Sequence, residues 1–180
     1  MQEHLSKIYS ERFSDSEEER KVQIWKVLVS NFFQRYVPAT GSVLDLGTGN
    51  GEFINAVQAE QKFAVDLNPD SRNKLNSSIE FVETSSTNLS MIENQSIDTI
   101  FTSNFFEHLP NAESLVDTLN ECRSCLKPTG TLVVLIPNIK YVKGDFWDYL
   151  DHTLPLTHLS MIEALQLAKF DVTEVFPRFL

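Results

Sequence analysis

The sequence predicts a doubly wound α/β domain, a mostly parallel sheet held between two layers of helices. Short apolar runs bounded by turn residues alternate with amphipathic stretches of helical length along the chain. One run, Val43 to Leu46, passes straight into a glycine-punctuated turn at Gly47, Gly49 and Gly51. A second, Phe63 to Val65, ends on Asp66, twenty-one positions after Asp45.

Taken in order, residues 18–36 read as a helix whose Arg20, Lys21 and Lys26 are offset by Glu17, Glu18 and Glu19 through i,i+4 pairing. Strands are expected over 42–46, 61–66, 79–83 and 97–102, with helices over 51–59 and 69–76 between them. Asn68-Pro69 is a turn-initiating pair that Asp66 can cap. Leu115, Leu119, Cys122 and Leu126 mark one face of a helix over 111–125. Pro128 and Gly130 then make the turn that feeds a fully buried strand over 131–136. Ser160-Met161-Ile162-Glu163 reads as a capping box opening a helix over 160–169, and a sixth strand is expected over 171–176.

At the glycine turn, three alternate residues without Cβ allow a ligand to lie against bare peptide groups. A dinucleotide fingerprint would need its third glycine at position 52, where Glu52 stands and would repel a pyrophosphate. No G-K-[ST] follows, so the turn has no lysine for nucleotide phosphates either.

The sequence Asp45-Leu46-Gly47-Thr48-Gly49-Asn50-Gly51 after an apolar strand resembles motif I of the class I S-adenosylmethionine-dependent methyltransferases. That resemblance implies a Rossmann-like three-layer fold of the class I methyltransferase kind, with the glycine turn under the methionine part of the cofactor. It also implies that Asp45 helps to orient the cofactor's ammonium group and that Asp66, followed by Leu67, accepts hydrogen bonds from the ribose hydroxyls. Where the family often has an aspartate for the adenine amino group, this chain has Ser85 and Ser86, neutral and therefore weaker acceptors.

Ser103-Asn104-Phe105-Phe106-Glu107-His108-Leu109 is similar to the family's S-N-x-x-E-H-L at the end of its fourth strand, and Leu126 to Gly130 resembles its L-K-P-G-G with Thr129 in place of a glycine. Ligands of an open parallel sheet lie beyond the carboxyl ends of its strands, so Ser103 to His108 are expected to face the cofactor. His108 is the candidate catalytic residue: an imidazole can take a proton from an acceptor, or it can orient the loop. Methyl transfer from a sulfonium depends mainly on in-line proximity and exclusion of water.

The matches run over residues 41–138, the expected cofactor-binding core of a single methyltransferase domain spanning 1–180. Residues 1–40 would form a helical cover containing Tyr9, Arg12, Phe13 and Trp25, with Tyr9 able to meet the sulfonium through its ring. Residues 139–180 would supply an acceptor-side loop, the last helix and an edge strand. Within them, Phe146, Trp147, Tyr149, Asp145, Asp148, Asp151, His152 and His158 suit an acceptor pocket or lid, or simply a cover over the core. No metal is expected, because the spacing of these histidines and carboxylates follows no recognised ligand pattern. The resembling fold has a seventh, antiparallel strand between its fifth and sixth, which is missing here. Either the chain is cut short or its sixth strand leaves an open edge, and exposed Phe179 and Leu180 would then favour a homodimer.

Composition narrows the partners. The 180 residues are 42% apolar, enough for one core, and their net charge of −10 argues against a nucleic-acid partner. No apolar run reaches the ~18 residues of a membrane span, and the first residues resemble no secretory signal, so a cytoplasmic setting with no membrane partner is expected. Cys122 and Cys125 lie near the end of a helix, whereas a redox C-x-x-C opens one, and no second pair completes a zinc site. The expected function is methyl transfer from S-adenosylmethionine to the oxygen, nitrogen or carbon of a small-molecule acceptor. The chain resembles the broad type 11 group of that family. A cofactor-binding adaptor or regulatory protein without turnover is the alternative, and a nicotinamide-dependent reductase, disfavoured by Glu52, is a third reading.

Overall fold

A computed structural model describes residues 15–179. Five strands, β1 (Ser42–Leu46), β2 (Gln61–Asp66), β3 (Glu80–Glu83), β4 (Ile97–Ser103) and β5 (Leu126–Leu135), form a sheet in the order β3-β2-β1-β4-β5. Every pairing is parallel. Helices α1 (Asp15–Asn31), α2 (Glu52–Ala56), α3 (Ala112–Cys125), α4 (Ile139–Val142) and α5 (His158–Leu167) connect and cover it. The chain folds as the three-layer, Rossmann-like parallel sheet expected from its sequence.

Alternation along β1 explains the layers. Val43 faces a cluster made with α1 and α2, including Val29, Phe33, Phe53, Ile54 and Phe101. Leu44 and Leu46 face the opposite cluster, where Val65, Val82, Ile100, Cys122 and Cys125 meet. A strand buried on both faces is the centre of a parallel sheet. Burial also pushes both thiols above their ordinary range, Cys125 to about 11, which leaves them inert packing groups.

The expected elements depart from the structure where tertiary bonds override local pattern. The first helix stops at Asn31, whose side chain donates to the Val27 carbonyl at 2.9 Å, and a separate 3-10 turn, Phe33–Tyr36, buries Phe33. Helix α2 ends at Ala56 because Gln34 binds the backbone N–H and the carbonyl of Gln58, both at 2.9 Å, and holds that chain extended. Residues Pro69–Lys74 form a 3-10 turn, capped by the Asn68 side chain. Strand β5 pairs first at Leu126, bulges past Pro128, and resumes its ladder at Thr131. Helix α5 starts two residues earlier than its pattern suggests, and Thr157, with Ser160, makes the capping box; Ser160 with Glu163 does not.

The expected strand over 171–176 is not formed. Residues 171–179 run beside the sheet held by side chains: Arg35 pairs with Glu174 at 3.0 Å, Tyr36 donates to Glu174 at 2.7 Å, and Asn138 donates to the Pro177 carbonyl at 3.1 Å. A cavity of about 1020 Å³ is lined both by this segment and by Thr131–Ile136, and among the described residues no backbone hydrogen bond pairs the two. Phe179 is not exposed as expected but packs on Phe32 and Phe33, with centroids 4.5 and 5.5 Å away. Leu180, Tyr9, Arg12 and Phe13 lie outside the described residues, and Trp25 belongs to the core, edge-on to Phe53 and Phe101.

Candidate functional site

Strand order reverses between β1 and β4, so the crevice at their carboxyl ends is where this topology binds a ligand. The two segments leaving those strands touch. A Cβ on Gly47 would sit 2.5 Å from the Phe105 ring, and Gly47 has φ +72°, so the approach of the fourth-strand loop requires a glycine there. Gly49 differs: its φ is +53°, but nothing lies within 4 Å of a Cβ built on it. That leaves open space over bare backbone, the kind of cradle in which a ligand can lie against peptide groups. Gly51, also with positive φ, is the N-cap of α2.

The two carboxylates flank this turn differently. Asp45 is buried at 3% exposure beneath it and accepts the Thr48 hydroxyl at 2.7 Å. Loss of hydration, with smaller contributions from Glu52 and Asp66, pushes its carboxyl up to about 7 against the pull of Thr48. Asp66 is half-buried; its Oδ2 accepts the Gly49 N–H and its Oδ1 the Asn68 N–H, both at 2.8 Å. It thus caps the Asn68-Pro69 turn and ties the glycine turn to the end of β2. Leu67, 45% exposed, lies at the rim.

The remaining residues of the candidate cofactor set divide. Ser85 is partly exposed and its hydroxyl bonds that of Thr87 at 2.9 Å. Ser86 is buried and bonds Thr118 of α3 at 2.8 Å, which makes it a tie between the loop and that helix. Asn104 is exposed, with φ +48°, at the turn out of β4. The cavity along β5 includes Asn104 but none of Asp45, Gly47, Gly49 or Asp66, so it is distinct from the cradle.

Two segments distant in sequence meet just beyond the end of β4. The N–H groups of Thr153 and Leu154 both donate to the Glu107 carbonyl, at 2.8 and 2.9 Å, and the Thr153 hydroxyl donates to Leu109 at 2.7 Å. His108 is thereby brought to Asp151, its Nδ1 lying 3.1 Å from the Asp151 carbonyl oxygen and 3.2 Å from Oδ2. His152 sits edge-on to His108, centroids 5.0 Å apart, with its Nδ1 donating to the Phe146 carbonyl at 2.8 Å. Glu107 is 2% exposed, and burial first, then Asp151, raises its carboxyl to about 7.

The sequence had marked His108 and, separately, the Tyr141–His158 aromatic stretch; their junction through Thr153 carries no sequence signal. Glu107 was read only as part of a motif, although a glutamate among Phe105, Phe106 and Leu109 is a candidate for burial. Phe146 is buried, while Trp147 is 63% exposed beside it. His158 lies apart, against Asn138 at 2.9 Å.

The family model for a methyltransferase domain matches residues 15–170. No curated protein matches the chain significantly. Among solved structures, a SAM-dependent methyltransferase from Archaeoglobus fulgidus is 23% identical with a TM-score of 0.72, over 83% of this chain and 69% of that one. One from Thermotoga maritima is 15% identical, with a TM-score of 0.69, over 87% and 78%. The Haloferax volcanii complex of the Trm112 methyltransferase activator with a methyltransferase gives 18% and 0.67, over 83% and 77%.

Proposed function

This chain belongs to the methyltransferase domain family, an S-adenosylmethionine-dependent enzyme group, and on that premise we propose that it methylates a small-molecule acceptor at oxygen, nitrogen or carbon. The observation that carries this reading is the open cradle at Gly49, with the Asp66 carboxylate bound to its N–H. Each Asp66 carboxylate oxygen, already accepting one backbone N–H, keeps a further lone pair that suits a ribose hydroxyl, and Leu67 offers an apolar edge to the adenine. Asp45, beneath the turn, has its carboxyl raised to about 7 by burial; a bound ammonium group would favour its charged form and draw that value down. Ser85 and Asn104 are polar groups at the rim.

The cofactor supplies an electrophilic methyl on a cationic sulfonium; the protein's task is to hold the acceptor in line and exclude water. Phe105, against Gly47, closes the floor between the two halves of the crevice. We assign His108, held by Asp151, to the acceptor side. The small-molecule reading is supported by the net charge of −10, which disfavours a polyanionic acceptor. The test is methyl transfer from labelled S-adenosylmethionine to a panel of phenols, amines and sugars. We expect turnover with one class, and for His108→Ala a kcat loss of at least tenfold with cofactor affinity unchanged. Labelling of RNA or protein in place of every small acceptor would contradict the reading.

A further inference from the structure

We propose that Glu107, His108 and His152 form a site for one divalent d-block metal ion on the acceptor side of the crevice. One potential ligand atom from each of the three lies within 4.8 Å of the others. Tetrahedral coordination at roughly 2.1 Å places ligand atoms about 3.4 Å apart, a contraction that side-chain rotation provides. Spacing along the chain hides the set, because His152 arrives from a second segment zipped onto Glu107 and Leu109 by Thr153 and Leu154.

Two further features point to a cation. Glu107 is buried to 2% exposure, yet its Oε2 has no hydrogen-bond donor. A buried carboxylate oxygen left without a donor is costly, and a metal ion is the partner that would relieve it. In both imidazoles Nδ1 is held by a backbone carbonyl, as it is in a histidine that ligates a metal through Nε2. His108 Nδ1 meets the Asp151 carbonyl and His152 Nδ1 the Phe146 carbonyl. A carbonyl only accepts, so Nδ1 carries the hydrogen in both rings and Nε2 the lone pair.

Two imidazoles and one carboxylate suit Zn2+, Mn2+, Fe2+ or Co2+ rather than Mg2+ or Ca2+, which prefer all-oxygen shells. Three protein ligands leave positions open. Because Glu107 and His108 follow Phe105, which abuts Gly47, those positions lie next to the crevice. Resting on the methyltransferase reading, an acceptor oxygen would bind there, held and made more acidic by the cation; His108 is then a ligand, and the metal takes the place of a base.

The test uses chelator-treated protein titrated with Co2+ by visible absorption and with Zn2+ in competition. One equivalent should bind, at least tenfold more weakly in Glu107→Gln and in His152→Ala, with S-adenosylmethionine binding by both variants retained as evidence that they fold. On unmodified protein, Zn2+ should protect His108 and His152, but not His158, from diethyl pyrocarbonate. Absence of stoichiometric binding, unchanged binding in both variants, or equal labelling of all three histidines would overturn the site. Metal binding without any S-adenosylmethionine binding would leave the site standing and sink the methyltransferase reading instead.

Discussion

The glycines of the turn separate folding from binding. Gly47→Ala must displace the Phe105 ring as well as strain a left-handed backbone, and is expected to cost at least about 2 kcal/mol of stability, read by urea unfolding. Gly49→Ala meets no neighbour, so its cost is near the ~1–2 kcal/mol of the left-handed backbone alone, while cofactor affinity falls more than tenfold. Equal effects of the two on both readouts would mean that the space over Gly49 is not a cradle. Asp45 makes a pH prediction. Its folded value of about 7 lies above the ordinary 3.8, so it holds a proton in the native state that the unfolded chain has lost. The associated stability is fully present below 3.8 and disappears as pH rises through 7, on the order of 4 kcal/mol in all. Asp45→Asn, which cannot ionise, should therefore gain on the unmodified protein between pH 5 and pH 8 in thermal unfolding; parallel profiles would show Asp45 already charged. Asp45 and the glycines were legible because one strand-turn-helix segment carries them within seven residues, and Asp66 because a second apolar run ends on it. Ser86 was not, since its neighbour Thr118 is thirty-two positions away.

Among the elements, those whose apolar pattern is also their tertiary environment were legible. Strands β1, β2 and β4 and helix α3 lie where hydrophobic runs and the Asn111 cap put them. Ends and caps were not, because they are set by bonds from elsewhere, such as Gln34 onto Gln58. The start of α5 is a test case: Thr157 accepts the Ser160 N–H at 3.1 Å and its own N–H is met by the Ser160 hydroxyl at 2.9 Å. Thr157→Ala should cost about 1 kcal/mol in urea unfolding. An unchanged midpoint would return the cap to Ser160. The zipper between Glu107 and Thr153–Leu154 belongs to the same class of feature: backbone groups join it, and backbone groups are identical in every sequence.

At the scale of the whole molecule, the doubly wound parallel sheet was legible in the alternation of strands and helices, whereas the sheet's outer edge was not. Residues 171–176 have strand-like composition but, among the described residues, pair with no strand; side chains such as Arg35, Tyr36 and Phe32 hold them. Their amides should exchange with deuterium in the fastest class, while Val43–Leu46 and Ile100–Thr102 stay protected. Comparable protection in 171–176 would mean that a sixth strand forms in solution. The central claim is that the crevice between β1 and β4 holds S-adenosylmethionine by its glycine turn and Asp66. Calorimetric titration of S-adenosylmethionine into the unmodified protein and into Asp66→Ala tests it most directly. The account predicts saturable one-to-one binding that Asp66→Ala weakens at least tenfold. No binding by folded protein, or equal binding by the two, would contradict it.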